Sequence, residues 1–197
     1  MAAGTLGRCA LVSRWTPLCV AARRLTIVGA GRDGVTRLEG KVMIRLVQPK
    51  SEEGWRQARQ LIEEYAASLN VDLSFQNFPH ELEHLASEYA PVTGALLLAE
   101  ERGVYVGCVG VRQFSDGIGE IKRLYVIPAA RRRGVGRLLA KGIVAAAKQL
   151  GYTRLLLDTL PSMKEAQSLY VSLGFRPTAA YRFNPVPGTA FLELDLP

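Results

Sequence analysis

GEIKRLYVIPAARRRGVGRLL (Gly119–Leu139) is the stretch that decides the fold. Its first half, through Ile127, carries the apolar and β-branched content of a strand, and Pro128 stops that strand because it has no N–H to give to a ladder. Its second half opens an amphipathic helix behind a turn of three arginines and two glycines, Arg131-Arg132-Arg133-Gly134-Val135-Gly136. The first N–H groups of such a helix have no partner inside it and stand at the positive end of its dipole. Glycines let a ligand's backbone-facing atoms come close. A strand, a glycine-arginine turn and a helix in that order make a site for phosphate groups.

Downstream, Leu138, Leu139, Ile143, Ala146, Ala147 and Leu150 give the helix its buried stripe, and Gly151 ends it. Arg154 to Asp158 is an apolar strand of the kind buried on both faces. Ser162 to Leu173 forms a helix stopped by Gly174, and Phe175 to Tyr181 and Ala190 to Leu196 form two more strands. Upstream, Met43 to Val47 is a strand and Ser51 to Leu69 a helix capped by Ser51, with Trp55, Ala58, Leu61, Ile62, Tyr65 and Leu69 inward. Leu73 to Phe78 is a loop. Pro79 to Tyr89 is a second helix that turns Leu82, Leu85 and Ala86 inward, and Gly94 to Glu100 and Tyr105 to Phe114 form a hairpin around Arg102-Gly103. The order β-α-α-β-β-β-α-β-α-β-β, antiparallel apart from one β-α-β crossover, gives an α+β or α/β domain of three layers.

The chain has 197 residues, 48% hydrophobic and 22% charged, enough for one domain with a real core. Its net charge is +7. Residues 1–42 hold seven of the 25 basic and two of the 18 acidic residues, so the leader carries +5 and the rest +2. That places the basicity outside the domain and argues against nucleic acid as a partner. No apolar run is long enough for a membrane helix, so no membrane is expected. Cys9, Cys19 and Cys108 are too few and scattered for a disulfide framework or a metal site, which makes a reducing, cytoplasmic setting the expectation. Arg-rich, acid-poor leaders also serve in organelle targeting; the plainer reading of residues 1–42 is a disordered extension or a start called too early, with the domain beginning at Met43. Gly29-Ala30-Gly31-Arg32-Asp33-Gly34 matches a dinucleotide fingerprint, but no helix pattern follows it, and it reads as a chance match.

Arg131-x-x-Gly134-x-Gly136, followed by a helix and a strand and then by Ala166-x-x-Leu169-Tyr170-x-x-x-Gly174-Phe175, resembles the GCN5-related N-acetyltransferase (GNAT) superfamily over residues 43–197. Leu73–Phe78 (LSFQNF) and Tyr181-Arg182-Phe183-Asn184-Pro185 are similar to a group of small bacterial members. One position departs from the pattern: Met163 stands where the family often has Asn. The resemblance implies a mixed, mostly antiparallel sheet of six to seven strands flanked by about four helices. It also implies acetyl-CoA as acyl donor, with no metal, and a primary amine as acceptor, attacking directly in a ternary complex. A small-molecule amine is the first expectation. A protein or peptide acceptor and a non-catalytic acetyl-CoA-binding module are the alternatives, and the oligomeric state is monomer or homodimer.

The same resemblance assigns roles. Arg131, Arg132, Arg133, Gly134, Val135 and Gly136 would cradle the pyrophosphate, with Arg137 or Lys141 near the 3′-phosphate. Leu124, Tyr125 and Val126 would pair with the pantetheine arm. Tyr170 is the expected general acid and Glu120 the expected base, with Asp158 second to it. His80 and His84 are expected in surface or capping roles. By strand alternation Arg123 faces away from Glu120 and Lys122, and a charge in mid-strand needs a partner or a ligand. Arg123 or Arg182, with Asn184 nearby, would then bind a carboxylate on the acceptor.

Overall fold

A computed structural model describes residues 43–197; the basic leader and its glycine fingerprint lie outside the described residues. The elements follow the sequence order closely. Strand β1 (Ile44–Val47) leads into helix α1 (Glu52–Leu69), where the Ser51 hydroxyl accepts from the Gly54 N–H at 3.1 Å. A 3-10 turn at Ser74–Gln76 precedes two short helices, α2 (Phe78–Glu83) and α3 (Leu85–Glu88). Strands β2 (Ala95–Glu101), β3 (Val104–Ser115) and β4 (Ile118–Val126) follow, then α4 (Val135–Gln149), β5 (Arg154–Thr159), α5 (Lys164–Ser172), β6 (Arg176–Pro177) and β7 (Ala190–Asp195).

All seven strands join one sheet in the order β1-β2-β3-β4-β5-β7-β6. Among the described residues only β4 and β5 run parallel, and α4 is their crossover. One core lies between the sheet and α4, centred on Val109, Val111, Leu139, Ile143, Leu155 and Leu157; the other lies between the sheet and α1–α3, around Ala58, Ile62, Leu85, Leu96 and Leu98. The expected three layers are therefore present.

Two elements differ from the sequence reading. The helix expected over Pro79–Tyr89 breaks at His84, and the residue it buries is Glu81 rather than Ala86. The strand expected over Phe175–Tyr181 shrinks to Arg176–Pro177; Thr178 still donates its N–H to the Phe191 carbonyl at 3.0 Å, and beyond it the chain leaves β7 as a loop.

Two irregularities shape the site. First, β4 pairs with β5 only from Ile118 to Glu120, so the two strands part beyond that point. Second, β4 carries a bulge. Cys108 opposes Tyr125 and Gly110 opposes Lys122, which leaves Arg123 and Leu124 facing the single residue Val109. Arg123 takes the left-handed conformation, φ +59°. An extra residue reverses the side-chain phase of everything after it. Lys122 and Arg123, neighbours in sequence, accordingly reach the same atom, Gln76 Oε1, at 3.1 and 3.0 Å. The expectation that Arg123 faces away from Lys122 fails for this reason. The same shift turns Tyr125 to the α1 side, where its ring meets Tyr65 edge-on at 6.2 Å.

Candidate functional site

Where β4 and β5 part, a cleft of about 690 Å³ opens. Leu124, Tyr125 and Val126 form one wall, and Met163, Ala166 and Leu169 of the α5 region form the other. At its end stand Arg131, Arg132, Gly134, Val135 and Gly136. Gly134 caps α4 with φ +83° and has open space where a Cβ would project. The first residues of α4, Val135 and Gly136, line the cleft, so the unpartnered N–H groups of the helix start lie beside it. The Arg131 Nε donates to the Val126 carbonyl at 3.0 Å and ties the turn to the strand end. Arg132 takes φ +60° in the same turn.

Arg133 does not join this cradle with its side chain. Its guanidinium pairs with Glu101 on β2, away from the cleft. Arg137 also has a protein partner: its Nη2 donates to the Ser172 hydroxyl at 2.8 Å and links α4 to α5.

A smaller recess of about 50 Å³ adjoins the cleft and shares Tyr65, Leu124, Met163 and Ala166 with it. Tyr170 lines the recess, 5% exposed, its ring edge-on to Phe175 at 5.3 Å. Burial pushes its phenol well above the usual value, so it stays protonated and able to donate. Burial likewise pushes the Tyr65 phenol up to about 12.

Beside the recess lies a buried cluster of charges. Arg123 donates twice to Glu81, Nε to Oε1 at 2.9 Å and Nη2 to Oε2 at 2.6 Å. Its guanidinium stands 5.0 Å over the Phe78 ring. The Tyr89 hydroxyl donates to the same Glu81 at 2.7 Å. Burial alone would raise the Glu81 pKa, but the hydrogen bonds and charge of Arg123 overrule it and hold the carboxyl below its ordinary range. Arg112 pairs with Glu88 at 2.7 Å and approaches Glu81 at 3.9 Å.

Glu120 is 1% exposed and lines neither cavity. Its Oε1 accepts from Arg182 at 2.7 Å and Tyr181 at 3.0 Å, with Lys122 Nζ 3.6 Å away. Desolvation lowers the Lys122 pKa to about 8 against the raising pull of Glu120 and Asp158. Asn184 donates to Asp158 Oδ2 at 2.8 Å, and both line the recess.

The residues expected from the sequence therefore divide. Leu124, Tyr125, Val126, Arg131, Arg132, Gly134, Val135 and Gly136 come together on the cleft, and Tyr170 with Asn184 on the recess. Glu120, the expected base, is enclosed by Arg182, Tyr181 and Lys122. Arg123, expected to face a carboxylate of the acceptor, already faces Glu81, a carboxylate of the protein. His80 and His84 are exposed, their rings stacked at 4.2 Å. The sequence assigned no role to Glu81, Tyr89, Gln76 or Tyr181, although Gln76 and Tyr181 fall in the two segments that carry the resemblance. The one signal was the unpaired mid-strand charge of Arg123, which demands a partner without saying which.

Comparison with known proteins agrees with this architecture. The family profile described as "Acetyltransferase (GNAT) family" matches residues 55–175. An uncharacterized N-acetyltransferase of Schizosaccharomyces pombe is 39% identical over 140 residues, covering 70% of this chain and 86% of that protein. An IAA acetyltransferase of Azospirillum brasilense is 33% identical over 141 residues, covering 70% and 89%. Among solved structures, a GNAT-family acetyltransferase of Staphylococcus aureus superposes with a TM-score of 0.64 at 19% identity, covering 78% of this chain and 99% of that one. A Salmonella typhimurium protein solved with its cofactor acetyl-CoA does so with a TM-score of 0.56 at 20% identity, covering 78% and 94%. The chain belongs to the GNAT acetyltransferase family and is an N-acetyltransferase.

Proposed function

We propose that this N-acetyltransferase takes its acetyl group from acetyl-CoA and passes it to the primary amine of a small molecule. The observation that carries the reading is the parting of β4 from β5, which leaves a strand edge, a phosphate cradle and a narrow recess in line. The residues fit the cofactor. The edge of β4 at Leu124–Val126, which β5 no longer covers, suits an amide-bearing arm, and the α4 N-terminus with Arg131 and Arg132 suits a pyrophosphate. Bound there, acetyl-CoA supplies a thioester carbonyl, which an amine attacks with loss of the thiol.

The chain's own residues would do the rest. The strand edge near Val126 offers an N–H to the carbonyl oxygen as charge develops on it. Tyr170, which lines the recess and is kept protonated by burial, is our choice of residue to return a proton to the departing sulfur. The recess is small, and Leu73 and Phe75 wall it, which favours a compact amine over a polypeptide.

The test is thiol release from acetyl-CoA across a panel of small primary amines and lysine or N-terminal peptides. Turnover on the small amines is the expected result. Turnover confined to peptides would move the acceptor class to proteins, and cofactor binding without turnover on any amine would make the chain a binding module.

A further inference from the structure

The geometry points to Asp158 as the group that receives the acceptor's amine, and to an acceptor with an apolar body and no carboxylate of its own. This rests on the acetyl-transfer reading above. Asp158 lies on the part of β5 that has separated from β4, and it lines the recess together with Leu124 and Tyr170. Its Oδ2 is held by Asn184, which fixes the rotamer. Its Oδ1 has no hydrogen-bonding partner among the described residues; Lys122 Nζ stands 3.9 Å away. A carboxylate with one oxygen anchored and the other open to a cavity is built to accept from a ligand's N–H.

The remaining charges are committed. Arg123 serves Glu81, Arg112 serves Glu88, Arg182 serves Glu120, and Lys122 donates to Gln76 beside Glu120. An incoming carboxylate would have to break one of these pairs and would meet Asp158 as a like charge. An incoming ammonium meets an open oxygen. Leu73, Phe75, Leu160 and Met163 give the recess an apolar portion beside the polar side chains of Gln76, Thr159 and Asn184, and that portion suits an alkyl or aryl body.

The protons balance as follows. The acceptor enters as R–NH3+ and gives one proton to Asp158 Oδ1, which later releases it to solvent. The neutral amine forms its N–C bond to the acetyl carbon as the C–S bond breaks. The second amine proton ends on the thiol, through Tyr170. The products are the N-acetylated amine, free thiol and one proton.

The test uses the full chain, acetyl-CoA and matched amines that differ by one carboxylate: 2-phenylethylamine against phenylalanine, and butylamine against norvaline. The expected result is a kcat/KM at least ~10-fold higher for the member of each pair without the carboxylate, about what one unpaired or repelled charge decides. Asp158→Asn keeps the size of the side chain and an acceptor for Asn184. It is expected to lower kcat/KM for 2-phenylethylamine ~100-fold, the usual scale for a lost proton acceptor, with the Kd of acetyl-CoA unchanged. Preference for phenylalanine and norvaline would overturn the inference, and so would wild-type turnover in D158N. The pairs decide the matter even if D158N fails to fold. Absence of turnover by the wild type on every amine would overturn the acetyl-transfer reading as well, and is thereby distinguishable.

Discussion

Arg123 shows how a single backbone choice fixes a site. Its left-handed φ inserts one residue into β4 and brings its guanidinium to Glu81 within a shell 1–4% exposed. An ion pair this deep is costly to form, and it is more costly to break on one side only. Glu81→Gln is therefore expected to destabilise the protein by ~3 kcal/mol at pH 7, measured by urea unfolding. The pH dependence has a definite sign. The Glu81 carboxyl sits below its ordinary value in the fold, so its contribution is complete above about 4.5 and fades as pH falls through the lowered folded value. The gap between wild type and E81Q should narrow in acid. A gap that is constant with pH would show that the charge of Glu81 is not what matters. Glu81 was invisible in the sequence because it sits one position from Leu82 in a helical pattern that pointed elsewhere. Burying a glutamate makes sense only once the chain has brought Arg123, 42 residues away, against it.

At the scale of elements, β3 and β4 hold the active strand in place through close backbone approach. A Cβ at Gly110 would stand 2.2 Å from the Tyr89 ring, which carries the hydroxyl bonded to Glu81. Gly110→Ala should cost about 2–3 kcal/mol as the ring is pushed aside, visible as a lowered urea midpoint. A midpoint equal to the wild type's would mean that Tyr89 is free to move and does not brace Glu81. Elements whose period is local were legible in the sequence: α1 with its Ser51 cap, α4 with its stripe, and β5 with Leu155, Leu156 and Leu157 buried. The bulge was not, because it depends on register against β3, and no local pattern around Lys122-Arg123-Leu124 marks it. The break at His84 was not either. Two short helices and one longer one share the same apolar spacing, and the choice falls to tertiary contacts such as that between Glu81 and Arg123.

At the scale of the molecule, the seven strands and two cores of the described residues surround the opening between β4 and β5, and the proposed function divides that opening into a cofactor cleft and an acceptor recess. The glycine-arginine turn before α4 was readable because glycine spacing and helix N-termini are chain-local properties. The proposed acceptor side gathers Gln76, Glu81, Lys122, Asp158, Arg182 and Asn184 from five separate segments, and no single stretch of the chain contains enough of it to be read. The central claim, direct acetyl transfer completed by Tyr170, is tested most directly by a mass balance. The protein is incubated with acetyl-CoA and 2-phenylethylamine, and N-acetylated amine is counted against thiol released, for the wild type and for Tyr170→Phe. The account predicts one acetylated amine per thiol, and a rate in Y170F reduced ~100-fold at unchanged Kd for acetyl-CoA. Thiol released without acetylated amine, or a Y170F rate equal to the wild type's, would contradict it.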